Sequence, residues 1–220
     1  MKNQVVVISG GTSGIGKELV KHYLADGHVV HAFGKGKATK TLRGQLCDKT
    51  SFSDNLHLHS CDISNRDAIC DLVKEIGRQE EYIDVLINNA GYATYETFSQ
   101  ISINDALEIA NVNFNGHLAV TLAFRTLLFR SQKPHIVFVC SIASRLPITP
   151  NSIYGASKSG LDKLADLLRL ELRHLGVSIT TVYPGRLETE FFDHPTFQNR
   201  DVGREIKLIG NVERSCWLIF

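Results

Sequence analysis

Short β-branched and apolar runs alternate along the chain with segments whose apolar residues recur every three or four positions. Val5 to Ile8, His28 to Phe33, Leu56 to Cys61, Ile83 to Ile87, His135 to Cys140 and Val177 to Tyr183 read as strands. Ile15, Leu19, Tyr23 and Leu24 stand at helical spacing, as do Ile69, Leu72, Val73 and Ile76. Ser64, with Asp67 three residues on, predicts a capping box for the second of these helices. Ser102 and Asp105 predict the start of a long helix reaching about Arg130. Ile153 to Leu175 predicts a further helix, striped by Leu161, Ala165, Leu168 and Leu172. Residues 35–56 are mostly polar, with Leu42 and Leu46 hinting at a short helix, and residues 191–220 have weak periodicity. Strands alternating with helices make βαβ units. The pattern predicts an α/β chain with a doubly wound parallel sheet between two helical layers, in three αβα layers. No repeat or linker interrupts it, so residues 1–220 read as a single domain, with 190–220 a short substrate-side, C-terminal segment.

A hydrophobic fraction of 43% over 220 residues suits one sizeable core. The net charge is +1 and no long basic block occurs, so neither a nucleic-acid nor a membrane-surface partner is expected. The apolar run in "QVVVISGG" (4–11) is too short for a signal-peptide core. "FNGHLAVTLAFRTLLF" (114–129) holds His117 and Arg125 and falls short of a membrane span. Five scattered cysteines without C-x-x-C spacing predict reduced thiols and a cytoplasmic location.

The first strand runs into "SGGTSGIGKEL" (9–19). In an open parallel sheet, ligands bind beyond the carboxyl ends of the strands. Glycines at 10, 14 and 16 let the backbone turn tightly. The helix that follows offers N–H groups and a positive dipole end to a phosphate. The spacing is G-x-x-x-G-x-G. Taken with "NNAG" (88–91), Ser141 and "YGASK" (154–158), it resembles the short-chain dehydrogenase/reductase family, of the single-domain type with a Tyr-x-x-x-Lys signature, over residues 4 to about 192.

That resemblance implies a Rossmann-like fold, a nicotinamide dinucleotide cofactor and a small-molecule carbonyl or alcohol substrate. It implies cofactor contacts from Gly10, Thr12, Ser13, Gly14, Ile15 and Gly16 in the turn, and from Lys35, Asp62 and Ile63, with Asp62 at a position that contacts adenine. It implies further contacts from Asn89, Ala90 and Gly91, from Tyr154 and Lys158, and from Pro184, Gly185 and Thr189 in "PGRLET", a loop that backs the nicotinamide. The implied catalytic set is Asn113, Ser141, Tyr154 and Lys158. Ser141 orients the substrate oxygen, and Asn113 supports a water linking the lysine to solvent. Asn111 and Asn115 flank Asn113 in "NVNFNGHL", so that assignment rests on the family's VN-x-x-G pattern. Ser9 stands where the family usually has threonine and keeps the hydroxyl. The C-terminal end is atypically short for the family, and "CWLIF" (216–220) is expected to be packed rather than exposed.

Tyr154 and Lys158 stand at i and i+4, on one helix face. A phenol with pKa about 10 is a poor base near neutrality. An ammonium about 4 Å away, at an effective dielectric near 20, attracts the phenolate by about 4 kcal/mol. Lys158 is therefore expected to lower the phenol's pKa toward the working range for acid–base catalysis. The hydride must come from a cofactor.

NADP is expected over NAD, with NAD also possible. An NAD-preferring site carries an acid about twenty residues beyond the glycines, but none occurs between Asp26 and Asp48, whereas Lys35, Lys37, Lys40 and Arg43 are basic. Tyr92, Tyr95, Leu146, Phe191 and Phe192 lean the substrate pocket toward an apolar ketone or alcohol. The long helices imply a homodimer or larger homo-oligomer. His57, His59 and Cys61 alternate along one strand face, but no fourth ligand is evident and no metal is expected. The alternative function is a non-enzymatic, dinucleotide-binding sensor or scaffold of the same fold. A sugar-nucleotide epimerase is disfavoured by the glycine spacing and the chain length.

Overall fold

The computed structural model describes residues 3–36, 54–187, 189, 191, 195–197 and 209–210. The expected short helix at Leu42 and Leu46, the basic Lys37, Lys40 and Arg43, Phe192 and the terminal CWLIF lie outside them.

Six parallel strands form one sheet: β1 (Val5–Ser9), β2 (Val29–Gly34), β3 (Leu56–Ser60), β4 (Val85–Asn88), β5 (His135–Val139) and β6 (Ser178–Val182). Their order is β3-β2-β1-β4-β5-β6. The chain winds outward from β1 through β2 to β3, then returns to the other side of β1. The order thus reverses between β1 and β4, and a crevice opens beyond their carboxyl ends. Side chains alternate along a strand, so Val6 and Ile8 face one helical layer while Val5 and Val7 face the other. Burial on both sides explains why β1 is unbroken VVVIS rather than an alternating pattern. On the first side, α1 (Gly14–Ala25) packs Leu19, Val20, Tyr23 and Leu24 onto the sheet. On the second lie α2 (Arg66–Gln79), α3 (Ile103–Ala110), α4 (His117–Leu128) and α5 (Ser152–Glu171), over a core that includes Phe33, Phe124 and Phe138. The expected three-layer architecture is present. No helix among the described residues is long and apolar enough to cross a membrane.

Two helix starts turn out differently. Ser102 caps α3 as its spacing predicts: its Oγ accepts from Asp105 N at 3.0 Å and donates to the Asp105 carboxylate at 2.6 Å. The box expected at Ser64 does not form. Asn65 caps α2, accepting from Asp67 N at 3.0 Å and Ala68 N at 3.1 Å. Ser64 instead donates its N–H and its hydroxyl to Asp62 Oδ1, at 2.9 and 2.8 Å. An ionised carboxylate two residues upstream is the stronger acceptor for Ser64, and a carboxamide one residue nearer the helix is left to cap it. The long helix expected from Ser102 is also modified. Between α3 and α4 it widens into a π-helical segment, Asn111–Gly116, a feature that often marks functional sites.

Candidate active site

The turn after β1 and the loop after β4 are built as one piece. Ser9 Oγ donates to Ile87 O at 3.2 Å and accepts from Asn89 N and Ala90 N at 2.9 and 3.1 Å. Asn89 returns its amide to Ser9 O and Gly10 O at 3.0 and 3.1 Å. Gly10 has φ +64°, and a Cβ there would lie 2.7 Å from Ala90 Cα. A Cβ on Gly16 would lie 2.1 Å from Gly10 O, so that glycine lets α1 seat against the turn. Ser13 begins α1 without a side-chain capping bond, and no acid sits in the first turn. The positive end of the helix is therefore directed at the crevice.

The crevice holds a cleft of about 710 Å³. It runs from the glycine turn past Asn89–Gly91 to Ser141, Tyr154 and Lys158, and on to Pro184, Gly185 and Thr189. Lys35, Asp62 and Ile63 line its other end. Of the catalytic and cofactor-contacting residues expected from the sequence, only Gly16 and Asn113 stand behind the lining rather than in it.

Ser141 follows β5, and its hydroxyl accepts from Ala143 N at 3.2 Å. Tyr154 lies in the first turn of α5. Burial pushes its phenol up to about 12, against the downward pull of a hydrogen bond from Ser141. The lowering expected from Lys158 is not found: desolvation of the phenolate dominates, and the downward pull comes from Ser141 rather than from the lysine. The Lys158 ammonium is buried and donates to Val139 O at 2.8 Å, and burial pulls its pKa down to about 8. The Phe191 ring stands edge-on to Tyr154, centroids 5.7 Å apart.

Asn113 is fully buried in the π-helical segment. Its Oδ1 accepts from Tyr92 N at 3.1 Å, and its amide donates to Tyr92 O at 2.9 Å and Ser157 Oγ at 3.3 Å. Asn111 and Asn115 bond to each other on the outer surface at 2.9 Å. Only the middle asparagine faces the site. A Cβ on Gly91 would lie 2.9 Å from Asn113 Oδ1 and 3.4 Å from Lys158 Nζ, so the two side chains converge on that glycine.

Two residues escaped the sequence reading. His117 is buried four positions after Asn113, with Nε2 donating to Ala90 O at 2.6 Å. Burial first, then the Lys158 charge, push its pKa down to about 3. Its helical spacing from Asn113 was the available signal. Glu108 lines the cleft and accepts from Lys35 at 3.2 Å, while Asp62 pairs with the same lysine at 3.0 Å. Partial burial works against the Lys35 charge, but the two carboxylates outweigh it and raise its pKa. Of the expected substrate-side residues, Tyr92 and Phe191 line the cleft; Tyr95 packs on Phe197, and Leu146 is exposed outside it. Ile142 and Ile148 add to the apolar lining. Burial pushes the Cys61 thiol up to about 11 and the Cys140 thiol up to about 12, which leaves both unreactive.

The sequence model described as short chain dehydrogenase matches residues 4–199. Among curated proteins, the chain is 31% identical over 193 residues to "Dehydrogenase/reductase SDR family member 7B" of Rattus norvegicus, covering 86% of this chain and 59% of that protein. The chain thus spans well under two thirds of the length of that relative. It is 28% identical over 199 residues to "NADP-dependent 3-hydroxy acid dehydrogenase YdfG" of an Escherichia coli strain, covering 90% of this chain and 78% of that one. A short-chain dehydrogenase from Sphingobium yanoikuyae, solved in complex with NADPH, shares the fold with a TM-score of 0.85 at 24% identity, over 98% of this chain and 83% of that one.

Proposed function

The chain belongs to the short-chain dehydrogenase family, and within it we propose an NADP(H)-dependent oxidoreductase that interconverts a small carbonyl compound and a secondary alcohol. One observation carries the reading: Ser141, Tyr154 and Lys158 line the same cleft as the glycine turn at the N-terminus of α1. The dinucleotide, when bound, supplies the hydride that no side chain carries. The chain's residues fit such a group. The turn Gly10–Gly16 and the end of α1 suit a diphosphate, Asp62 and Ile63 an adenine, and Pro184, Gly185 and Thr189 a nicotinamide.

With its pKa near 12, the Tyr154 phenol is protonated around neutrality and poised as an acid. It gives its proton to the substrate oxygen, which the Ser141 hydroxyl orients. The buried Lys158 charge offsets the phenolate as it forms. Asn113 supports the route by which Lys158 exchanges protons with solvent. The apolar lining from Phe191, Ile142 and Ile148 favours an apolar ketone or alcohol.

Lys35 is the basis for preferring NADP, supported by the NADP dependence for which the Escherichia coli relative is named. A 2′-phosphate would take the place that Asp62 and Glu108 hold on the ammonium. A homodimer is proposed from the exposed apolar residues Ile103, Leu107, Leu122 and Phe129 on the long helix and its end. Light scattering at micromolar concentration tests this, and a monomer mass would end it. The decisive experiment for the activity is NADPH oxidation with a panel of apolar ketones and aldehydes. Cofactor binding without turnover of any of them would point instead to a binding module.

A further inference from the structure

Away from the cleft, the sheet register sets three imidazoles on the face that α2 covers. His31 of β2 lies opposite His57 of β3, and Phe33 opposite His59. The His31 and His57 rings stack with centroids 4.5 Å apart. The C-terminal half of α2 and the residue after it bring two carboxylates to the same place. His59 Nδ1 lies 3.0 Å from Glu75 Oε1, His31 Nδ1 lies 3.1 Å from His59 Nε2, and His31 Nε2 lies 3.3 Å from Glu80 Oε1.

We propose that His31, His57 and Glu80 bind a divalent transition metal of the zinc type, with His59 and Glu75 as the hydrogen-bonded support behind His31. The run Glu75, His59, His31, Glu80 contains three contacts. Two neutral imidazoles supply one N–H each, and the carboxylates at the ends only accept. Two protons cannot fill three contacts. If each ring donates through Nδ1, toward Glu75 and toward His59, the His31 Nε2 lone pair faces the Glu80 carboxylate with nothing between them. His31 is fully buried, where an imidazolium would lose its hydration.

A cation placed there resolves the conflict. One ligand atom each from His31, His57 and Glu80 already lie within 4.8 Å of one another. Around a tetrahedral ion with bonds of about 2.0–2.1 Å, ligand atoms stand roughly 3.4 Å apart. His57 and Glu80 are only partly buried and can close that gap by side-chain rotation. Imidazole and carboxylate together suit zinc. A metal-bound histidine that donates its other nitrogen to a second imidazole, itself held by a carboxylate, has the support such ligands normally have. The sequence hid this site because its ligands come from two strands and a helix end. Only the His57 and His59 alternation was visible, and His59 is support rather than ligand.

The competing occupant is a proton, held either by Glu80 or by His59 beside Glu75. Glu80→Gln separates the two, because a carboxamide N–H fills the third contact with no ion. After EDTA treatment and dialysis, melting temperature is measured with and without zinc, and the visible ligand-field band is followed on cobalt addition. The parent is expected to gain melting temperature with zinc and to show the band of four-coordinate cobalt. Glu80→Gln should melt higher than the metal-free parent and lose the zinc response, with affinity down at least 100-fold. His57→Ala should lose it too, and His59→Ala should weaken it 10–100-fold. A parent indifferent to both metals would overturn the proposal in favour of the proton. A cobalt band that persisted in both His57→Ala and Glu80→Gln would overturn it in favour of binding elsewhere.

Discussion

Lys158 donates its ammonium to the Val139 carbonyl, 2.8 Å away at the last residue of β5. The bond fixes the lysine in the floor of the cleft, and burial lowers its pKa from 10.5 to about 8. At about 1.4 kcal/mol per unit, holding this charge costs on the order of 3 kcal/mol. The unfolded chain binds more protons than the folded one between pH 8 and 10.5. The cost is therefore present in full below pH 8 and fades as pH rises toward 10.5. Lys158→Met is expected to lose more than 100-fold in turnover yet unfold at higher urea than the parent at pH 7. The gap should close by about pH 10.5. A variant less stable than the parent at pH 7 would show that the Val139 bond outweighs the buried charge.

Tyr154→Phe removes one hydroxyl and leaves the ring against Phe191. General acid catalysis contributes about 10²–10⁴-fold, so turnover of a ketone the parent reduces should fall by that range while cofactor affinity stays within a few fold. Retention of most of kcat would remove Tyr154 from the proton-donor role.

Lys35 is shared by Asp62 and Glu108. Glu108→Gln removes one competitor for a 2′-phosphate and should tighten NADPH more than NADH. Lys35→Glu should abolish any preference. Fluorescence titration of both cofactors reads this, and equal changes for the two in Glu108→Gln would separate Lys35 from the phosphate.

His117 is held neutral by burial, with its pKa pushed from 6.5 down to about 3. The unfolded chain takes up a proton there between pH 6.5 and 3 and the folded chain does not. Stability contributed by this residue is thus present above pH 6.5 and is lost as pH falls toward 3. Urea midpoints should drop steeply across that window, and less steeply in His117→Gln. Parallel profiles for the two proteins would count against this role.

Asn113 and its flanking asparagines give a direct comparison. Asn113→Ala strips both bonds from the Tyr92 backbone and should cost on the order of 2 kcal/mol together with activity. Asn111→Ala, on the exposed side, should stay within about 0.5 kcal/mol. Equal effects in the two variants would contradict the geometry.

Local periodicity made much of this legible. Inner strands such as Val5–Ser9 were readable because apolar runs buried on both faces leave no polar gaps, whereas the outer strand Leu56–Ser60 shows as an alternation of leucine and histidine. The cap at Ser102 was readable because serine and its carboxylate partner stand in the same turn. The cap at Asn65 was not, because a competing acceptor, Asp62, took Ser64 out of contention. The widening at Asn111–Gly116 was hidden because one extra residue in a turn barely alters an apolar stripe. At the site, Tyr154 and Lys158 were legible by spacing, but their proton affinities were not. Those depend on how much protein surrounds each group, which no spacing records.

The ring of bonds among Ser9, Ile87, Asn89 and Ala90 joins residues roughly eighty positions apart in the chain. At about 5–20 residues per second, a ribosome releases the glycine turn roughly 4–16 s before the segment it must lock onto. During that interval the Ser9 hydroxyl lacks its Ile87, Asn89 and Ala90 partners, and β1 lacks one of its two neighbours in the sheet. The cleft thus cannot be assembled from the amino end forward. Its glycine turn locks only once β4 stands beside β1, and the lining from Ser141 to Thr189 is added after that, so a nascent chain ending before β4 leaves one edge of β1 unpaired.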